Sequence, residues 1–218
     1  SITSVAPPVN ATFSDTETMD FTLNFDEAVN ITNTPRLTLT VGAGTAYANY
    51  LSGTGSTAIV FRYTVATGEE DTDGIVLATT VDLNTSGTIK DLVGNDSGLT
   101  FSAIVTTGLL VDGVQPTILS TTQPADITHA IGANLDFTIT YDEIVNVLGA
   151  PRLTLDIGGA TRYAIHIAGD GTLTHTYRYI IVGGDVDSDG IVVTPSIDLN
   201  SGTLLDPEGN VSDLTFTM

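Results

Sequence analysis

The chain has 218 residues, of which 41% are hydrophobic and 15% charged, a composition that builds one large folded domain or two small ones. Its charge is one-sided: 20 Asp and 6 Glu against 6 Lys and Arg, for a net charge of −20. Too few cations are present to neutralise phosphates, which excludes nucleic acid and anionic membrane surfaces as partners. With no Cys there is no disulfide, thiolate nucleophile or Cys-ligated metal, and no apolar run is long enough for a membrane-spanning helix.

In chain order, residues 21–25 (FTLNF) alternate apolar and polar and predict a half-buried strand, with Asp26 and Glu27 at its end. Residues 37–41 (LTLTV) predict a second strand, closed by a Gly turn at 42–45. Another strand carries Tyr47 and Tyr50, and the turn SGTGS at 52–56 leads into the run 59–65 (IVFRYTV). An acidic loop follows with Glu69, Glu70, Asp71, Asp73 and Gly74. Residues 81–84 (VDLN), 87–95 (GTIKDLVGN) and 99–101 (LTF) complete the series, and VDGVQP at 111–116 ends it.

The series then starts again. FDEAVNI at 25–31 returns as YDEIVNV at 141–147, and TPRLTLTVG at 34–42 returns as APRLTLDIG at 150–158. FRYTV at 61–65 returns as YRYII at 177–181, and DTDGIV at 71–76 as DSDGIV at 187–192. After the loss of one residue, GTIKDLVGN becomes GTLLDPEGN at 202–210. The chain is two copies of one module. About seven short strands in roughly 110 residues predict an all-β protein of two tandem immunoglobulin-like antiparallel β-sandwiches. The expected repeats are residues 1–111 and 112–218, joined by a short linker. Ser1 corresponds to Thr117 and Met218 to Ala103. These ends point to a longer array, in which the second copy lacks part of its last strand or receives it from a partner.

The order E-x-V…PRLTL…FRYTV…D-x-DGI…LN…GTI-x-D…GN…LTF, followed by VD and Pro, resembles the tandem bacterial immunoglobulin-like (cadherin-like) repeats of large surface adhesins and secreted repeat proteins. The resemblance covers both copies almost end to end, with VDGVQP in place of the commoner VD-x-x-AP linker. It implies Ca²⁺ near module junctions, extension away from a bacterial cell surface, and no catalysis. The implied partners are neighbouring repeats of the same chain, with any host or surface ligand held by other domains.

The acids give this expectation a residue basis. Asp71 and Asp73 before Gly74, and Asp185, Asp187 and Asp189 before Gly190, let a tight loop aim several hard oxygen ligands inward, as Ca²⁺ requires. The second loop opens like an EF-hand, but its twelfth position is Ser196 and its flanks are strands, which argues against one. Alternating strand directions place Glu69, Glu70, Asp71, Asp73 and Asp112 at the C-terminal pole of the first module. Asp142 and Glu143 then fall at the N-terminal pole of the second, so these seven acids are expected at one junction with a divalent cation between them. Asp26 and Glu27, and Asp185, Asp187 and Asp189, are the matching outer sites. Turn chemistry alone also places Asp before Gly, with no metal. The repeated Asp91/Asn95 and Asp206/Asn210 sets are read as turns with an accessory ligand role open, and Asp82 and Asp198 as local caps or pairs.

Catalysis finds little footing: neither a Gly-x-Ser-x-Gly elbow nor HExxH occurs. His175 replaces Ile59 at an inward position and His166 replaces Tyr50 at an outward one, so a shared site is not expected. Arg62 and Arg178 are expected outward, bridging to carboxylates. Of Tyr47, Tyr50, Tyr63, Tyr163, Tyr177 and Tyr179, Tyr50 alone is expected to face solvent. The alternatives to a spacer are a carbohydrate-binding adhesin module and a self-assembling surface-layer protein.

Overall fold

A computed structural model describes residues 1–218 and contains strands and no helix. Two units are present, Ser1–Val114 and Gln115–Met218. In unit 1 the elements are β1 (Ile2–Ala6), β2 (Ala11–Ser14), β3 (Thr18–Thr32), β4 (Arg36–Val41), β5 (Gly44–Ser52), β6 (Ser56–Thr64), β7 (Glu70–Asp71), β8 (Val76–Asp82), β9 (Thr88–Asp91) and β10 (Leu109–Asp112). The large sheet runs β1-β3-β6-β5-β4-β8, with β9 on the outer half of β3, and all its pairs are antiparallel. A small sheet, β2-β10-β7, joins β10 parallel to β2 and antiparallel to β7. Val111 and Asp112 therefore belong to unit 1, tied down by both neighbours.

Unit 2 repeats the large sheet with β11 (Ile118–Thr122), β12 (Asn134–Leu148), β13 (Arg152–Ile157), β14 (Ala160–Ala168), β15 (Thr172–Ile180), β16 (Val192–Asp198) and β17 (Thr203–Leu205). Its order is β11-β12-β15-β14-β13-β16, with β17 on β12.

The period-2 pattern decides which face is buried. Along β3, Met19, Phe21, Leu23 and Phe25 are buried while Asp20, Thr22 and Asn24 point away. The strand then changes partner: its register with β6 breaks between Asn24 and Val29, and its outer half pairs with β9. Asp26 and Glu27 lie in that break, where exposed charge costs no ladder bond. In β12 the break falls between Thr140 and Val145 and holds Asp142 and Glu143.

The outward face is clamped by the same pairs in both units. Arg62 grips Asp20 with two bonds of 2.7 Å, and Arg178 grips Asp136 with two of 2.6 Å. Arg36 binds Asp82 and Arg152 binds Asp198, each at 2.7 Å. Those two aspartates also cap the backbone N–H of Asn84 and Asn200 at 2.8 and 2.9 Å. The cores differ in polarity. Phe25, Ile59 and Phe61 of unit 1 become Tyr141, His175 and Tyr177 in unit 2, all buried. Tyr141 donates to the Asp213 carbonyl at 3.0 Å, whereas the Tyr177 hydroxyl has no partner.

Candidate metal-binding acids

The acidic loop of unit 1 leaves β6 at Val65. Glu69 closes the first turn: its Oε2 accepts the Ala66 N–H at 2.8 Å and the Tyr63 hydroxyl proton. Asp71, 4% exposed, accepts the Gly42 N–H on Oδ2 and the Gly74 N–H on Oδ1, each at 2.7 Å. One carboxylate thus stitches the β4–β5 turn to its own loop. Gly74 is required there: φ is +101°, and a Cβ would lie 2.4 Å from Thr107 Cα. β7 pairs with β10 so that Glu70 faces Asp112 in register and Asp71 faces Val111. Glu69, Glu70, Asp71 and Asp112 therefore share one end of unit 1, with Glu70 and Asp73 exposed. Asp112 Oδ1 accepts the Val114 N–H at 3.2 Å.

Unit 2 repeats this loop chemistry. Asp185 Oδ2 accepts the Tyr179 hydroxyl at 2.6 Å and the Val182 N–H at 2.9 Å, and Oδ1 accepts Arg162 Nε at 2.9 Å. These donors, the Tyr179 hydroxyl foremost, hold its carboxyl below the ordinary range. Asp187 accepts the Gly158 N–H at 2.9 Å on Oδ2, and those of Gly190 and Asp189 at 2.8 and 3.1 Å on Oδ1. Asp189 is exposed. In both loops the first acid locks a tyrosine and the second ties down glycine N–H groups.

The acids in the strand breaks are also engaged. Asp26 takes the Ser1 ammonium and the Ser1 hydroxyl, the latter at 2.9 Å, and the ammonium contact leads in holding its pKa low. Glu27 is exposed. Asp142 accepts Thr117 N at 2.7 Å and Thr117 Oγ1 at 2.5 Å. Half-buried Glu143 brings a carboxylate oxygen within 4.8 Å of one on Asp206. Asp206, 2% exposed, accepts the N–H groups of Gly209 and Asn210 on Oδ1 at 2.6 and 2.8 Å, and Asn210 Nδ2 on Oδ2 at 2.7 Å. Asp91 makes the matching bonds to the Asn95 N–H and side-chain amide at 2.8 and 2.6 Å, and takes the Val93 N–H at 2.9 Å.

Two adjacent carboxylates are the donor type a hard cation takes, so Glu143 and Asp206 could contribute to holding a metal ion, although Ca²⁺ needs six to eight oxygens. Sequence reading placed Asp206 in a turn, where it is, and missed its place beside Glu143. The β12–β17 register, which sets Leu205 opposite Asn146, supplies that place.

The histidine and tyrosine expectations need correcting. His166 Nε2 lies 3.2 Å from His175 Nδ1, so the two rings meet instead of facing opposite ways. Ala46 and Ala48 are buried in β5, which puts Tyr50 in the inward phase, edge-on to Phe61 at 6.2 Å. Tyr47 is the residue that faces out, with the Arg36 guanidinium 3.6 Å above its ring. Tyr163 and Arg152 repeat this at 3.8 Å. No protein-family model matches the chain, and no curated protein matches it.

Proposed function

We propose that the two units are immunoglobulin-like β-sandwich repeats serving as a non-catalytic spacer in a bacterial cell-surface or secreted adhesin, with Ca²⁺ held by acids at the repeat ends as the stiffener. The observation that carries this reading is the duplication of the whole framework. The Arg62–Asp20 and Arg36–Asp82 clamps, the Asp71 stitch and the Glu69–Tyr63 lock all return as Arg178–Asp136, Arg152–Asp198, Asp187 and Asp185–Tyr179. A module specialised for a ligand diverges from its neighbour where the ligand sits. These modules instead repeat the bonds that define their shape, as a unit multiplied for reach does. Support for the ion comes from exposed carboxylates in the same loops: Glu70 and Asp73 in unit 1 and Asp189 in unit 2.

The test is melting and small-angle scattering of the intact pair in millimolar Ca²⁺ and in excess EDTA. At about 100 times its dissociation constant an ion adds about 2.7 kcal/mol per site. The expected result is a higher Tm and a longer, narrower particle with Ca²⁺. Superimposable curves and profiles reject the calcium part of the proposal. Specific binding on a glycan array rejects the spacer part.

A further inference from the structure

The two units share one framework, yet three changes of residue type fall together in unit 2. Tyr50, Thr54 and Ile59 of unit 1 are His166, Asp170 and His175 in unit 2. His166 stands opposite Tyr177 in the β14–β15 register, and His175, two residues earlier on β15, shares its inward face. Asp170 lies in the turn that joins these two strands. Thr54 Oγ1 accepts the Ile31 N–H at 2.9 Å, and Asp170 Oδ1 accepts the Val147 N–H at 2.8 Å. Either side chain makes the turn's bond, so what the change adds is a negative charge beside two imidazoles.

His175, wholly buried, places Nε2 3.1 Å from the Thr172 carbonyl, which can only accept. That nitrogen carries the proton of the neutral ring and leaves Nδ1 a lone pair. Nδ1 faces His166 Nε2 at 3.2 Å. The edge of a tetrahedral zinc site with bonds of about 2.0–2.1 Å is about 3.3 Å, so the two nitrogens are already spaced to bind one ion. His166 also has a backbone hydrogen bond at Ala168, which gives each ring a main-chain partner of the kind that orients metal-bound imidazoles. Burial keeps both rings neutral at pH 7, the form that coordinates. The Asp170 carboxylate acts on both rings through space and offsets part of a cation's charge. His166 is half-buried, so water reaches the pair from its side.

We propose that His166 Nε2 and His175 Nδ1 chelate one divalent transition-metal ion of the Zn²⁺, Ni²⁺ and Cu²⁺ class, with water completing the coordination, and that the ion clips β14 to β15 within unit 2. Imidazole nitrogen suits these ions, whereas Ca²⁺ takes oxygen. Nitrogen donors separate this site from the carboxylates of the calcium reading.

The experiment titrates the full chain with Zn²⁺ in millimolar Ca²⁺, so that the carboxylates are already offered a hard cation. It follows calorimetry, melting and the nitrogen-15 resonances of the imidazoles. The expected result is saturable 1:1 binding, with shifts at His166 and His175 and none at His129, which lies in the loop before β12 and serves as the internal control. The Tm of unit 2 should rise by about 10 °C or more at 100 times the dissociation constant. H166Y and H175I, each introducing the unit 1 residue, should weaken binding at least about tenfold with unchanged far-ultraviolet circular dichroism. The imidazole shifts read the site in the unaltered chain and need no variant. No saturable binding by that chain overturns the proposal and leaves a hydrogen-bonded imidazole pair only. So does undiminished binding by the H166Y/H175I double variant, or a shift confined to His129.

Discussion

His166 Nε2 sits 3.2 Å from His175 Nδ1 on neighbouring strands of unit 2, His175 wholly buried and His166 half-buried, where unit 1 has Tyr50 and Ile59. Tyr141 and Tyr177 stand edge-on to this pair, with ring centroids 5.6 Å from His175 and 5.4 Å from His166. Burial lowers the pKa of both imidazoles, and His166 lowers His175 further. Each folded value is therefore below the unfolded one, near 6.5. Above about pH 6.5 both states are neutral and stability is complete. As pH falls through the folded values the unfolded chain binds protons first, and stability is lost. Unit 2 should weaken between pH 7 and 5 while unit 1, which has no His, serves as the internal control. Amide exchange of the two units across that range reads the difference, and H166Y together with H175I should abolish it.

The buried Tyr177 hydroxyl has no hydrogen-bond partner, and Phe61 fills the equivalent place in unit 1. An orphaned hydroxyl keeps its desolvation cost with no bond to offset it. Tyr177→Phe should therefore stabilise unit 2 by about 1–2 kcal/mol. Urea unfolding with unchanged slope and a higher midpoint is the expected readout.

Asp71 holds two glycine N–H groups from different turns. Asp71→Ala should cost about 2–4 kcal/mol in unit 1, because both donors lose a charged acceptor in a buried place. Asp71→Asn, which keeps one acceptor, should cost less. Measured in EDTA, the loss belongs to the turn. Any additional loss of Ca²⁺ binding by Asp73→Asn, whose carboxylate is exposed, belongs to the metal.

Four tyrosines carry raised pKa values: Tyr63, Tyr141, Tyr177 and Tyr179, each chiefly through burial, with Glu69 and Asp185 adding to the first and last. A raised folded value keeps the neutral form. Its contribution is complete below the unfolded pKa, near 10, and disappears as pH climbs through the folded value. In an ultraviolet titration these four should ionise late, together with alkaline unfolding.

The strand set was legible because alternation in residues 21–25, 37–41 and 59–65 has one consistent phase, and the duplication repeats it. β5 was misread for a physical reason. In Ala46-Tyr47-Ala48-Asn49-Tyr50 the two aromatics are three apart, so one of them must face out. Size favours Tyr47 as the core residue, but the small alanines face the core and Arg36 covers the exposed ring. That single phase error separated His166 from His175. The acidic loops were recognised as turns with chemistry, yet the assignment of each carboxylate was hidden. Asp71 and Asp187 are engaged by glycines 29 residues away, and the pairing of Glu143 with Asp206 depends on a strand register.

The parallel pairing of β10 with β2 governs how unit 1 answers tension. A pull on the chain before Ala11 and after Asp112 draws two parallel neighbours along their length in opposite directions. The rungs Leu109–Ala11, Leu110–Thr12, Val111–Phe13 and Asp112–Ser14 then share the load at once, whereas an antiparallel hairpin opens one rung at a time. Forced opening is set by the height of the unfolding barrier, and simultaneous shear raises that height without any change in equilibrium stability.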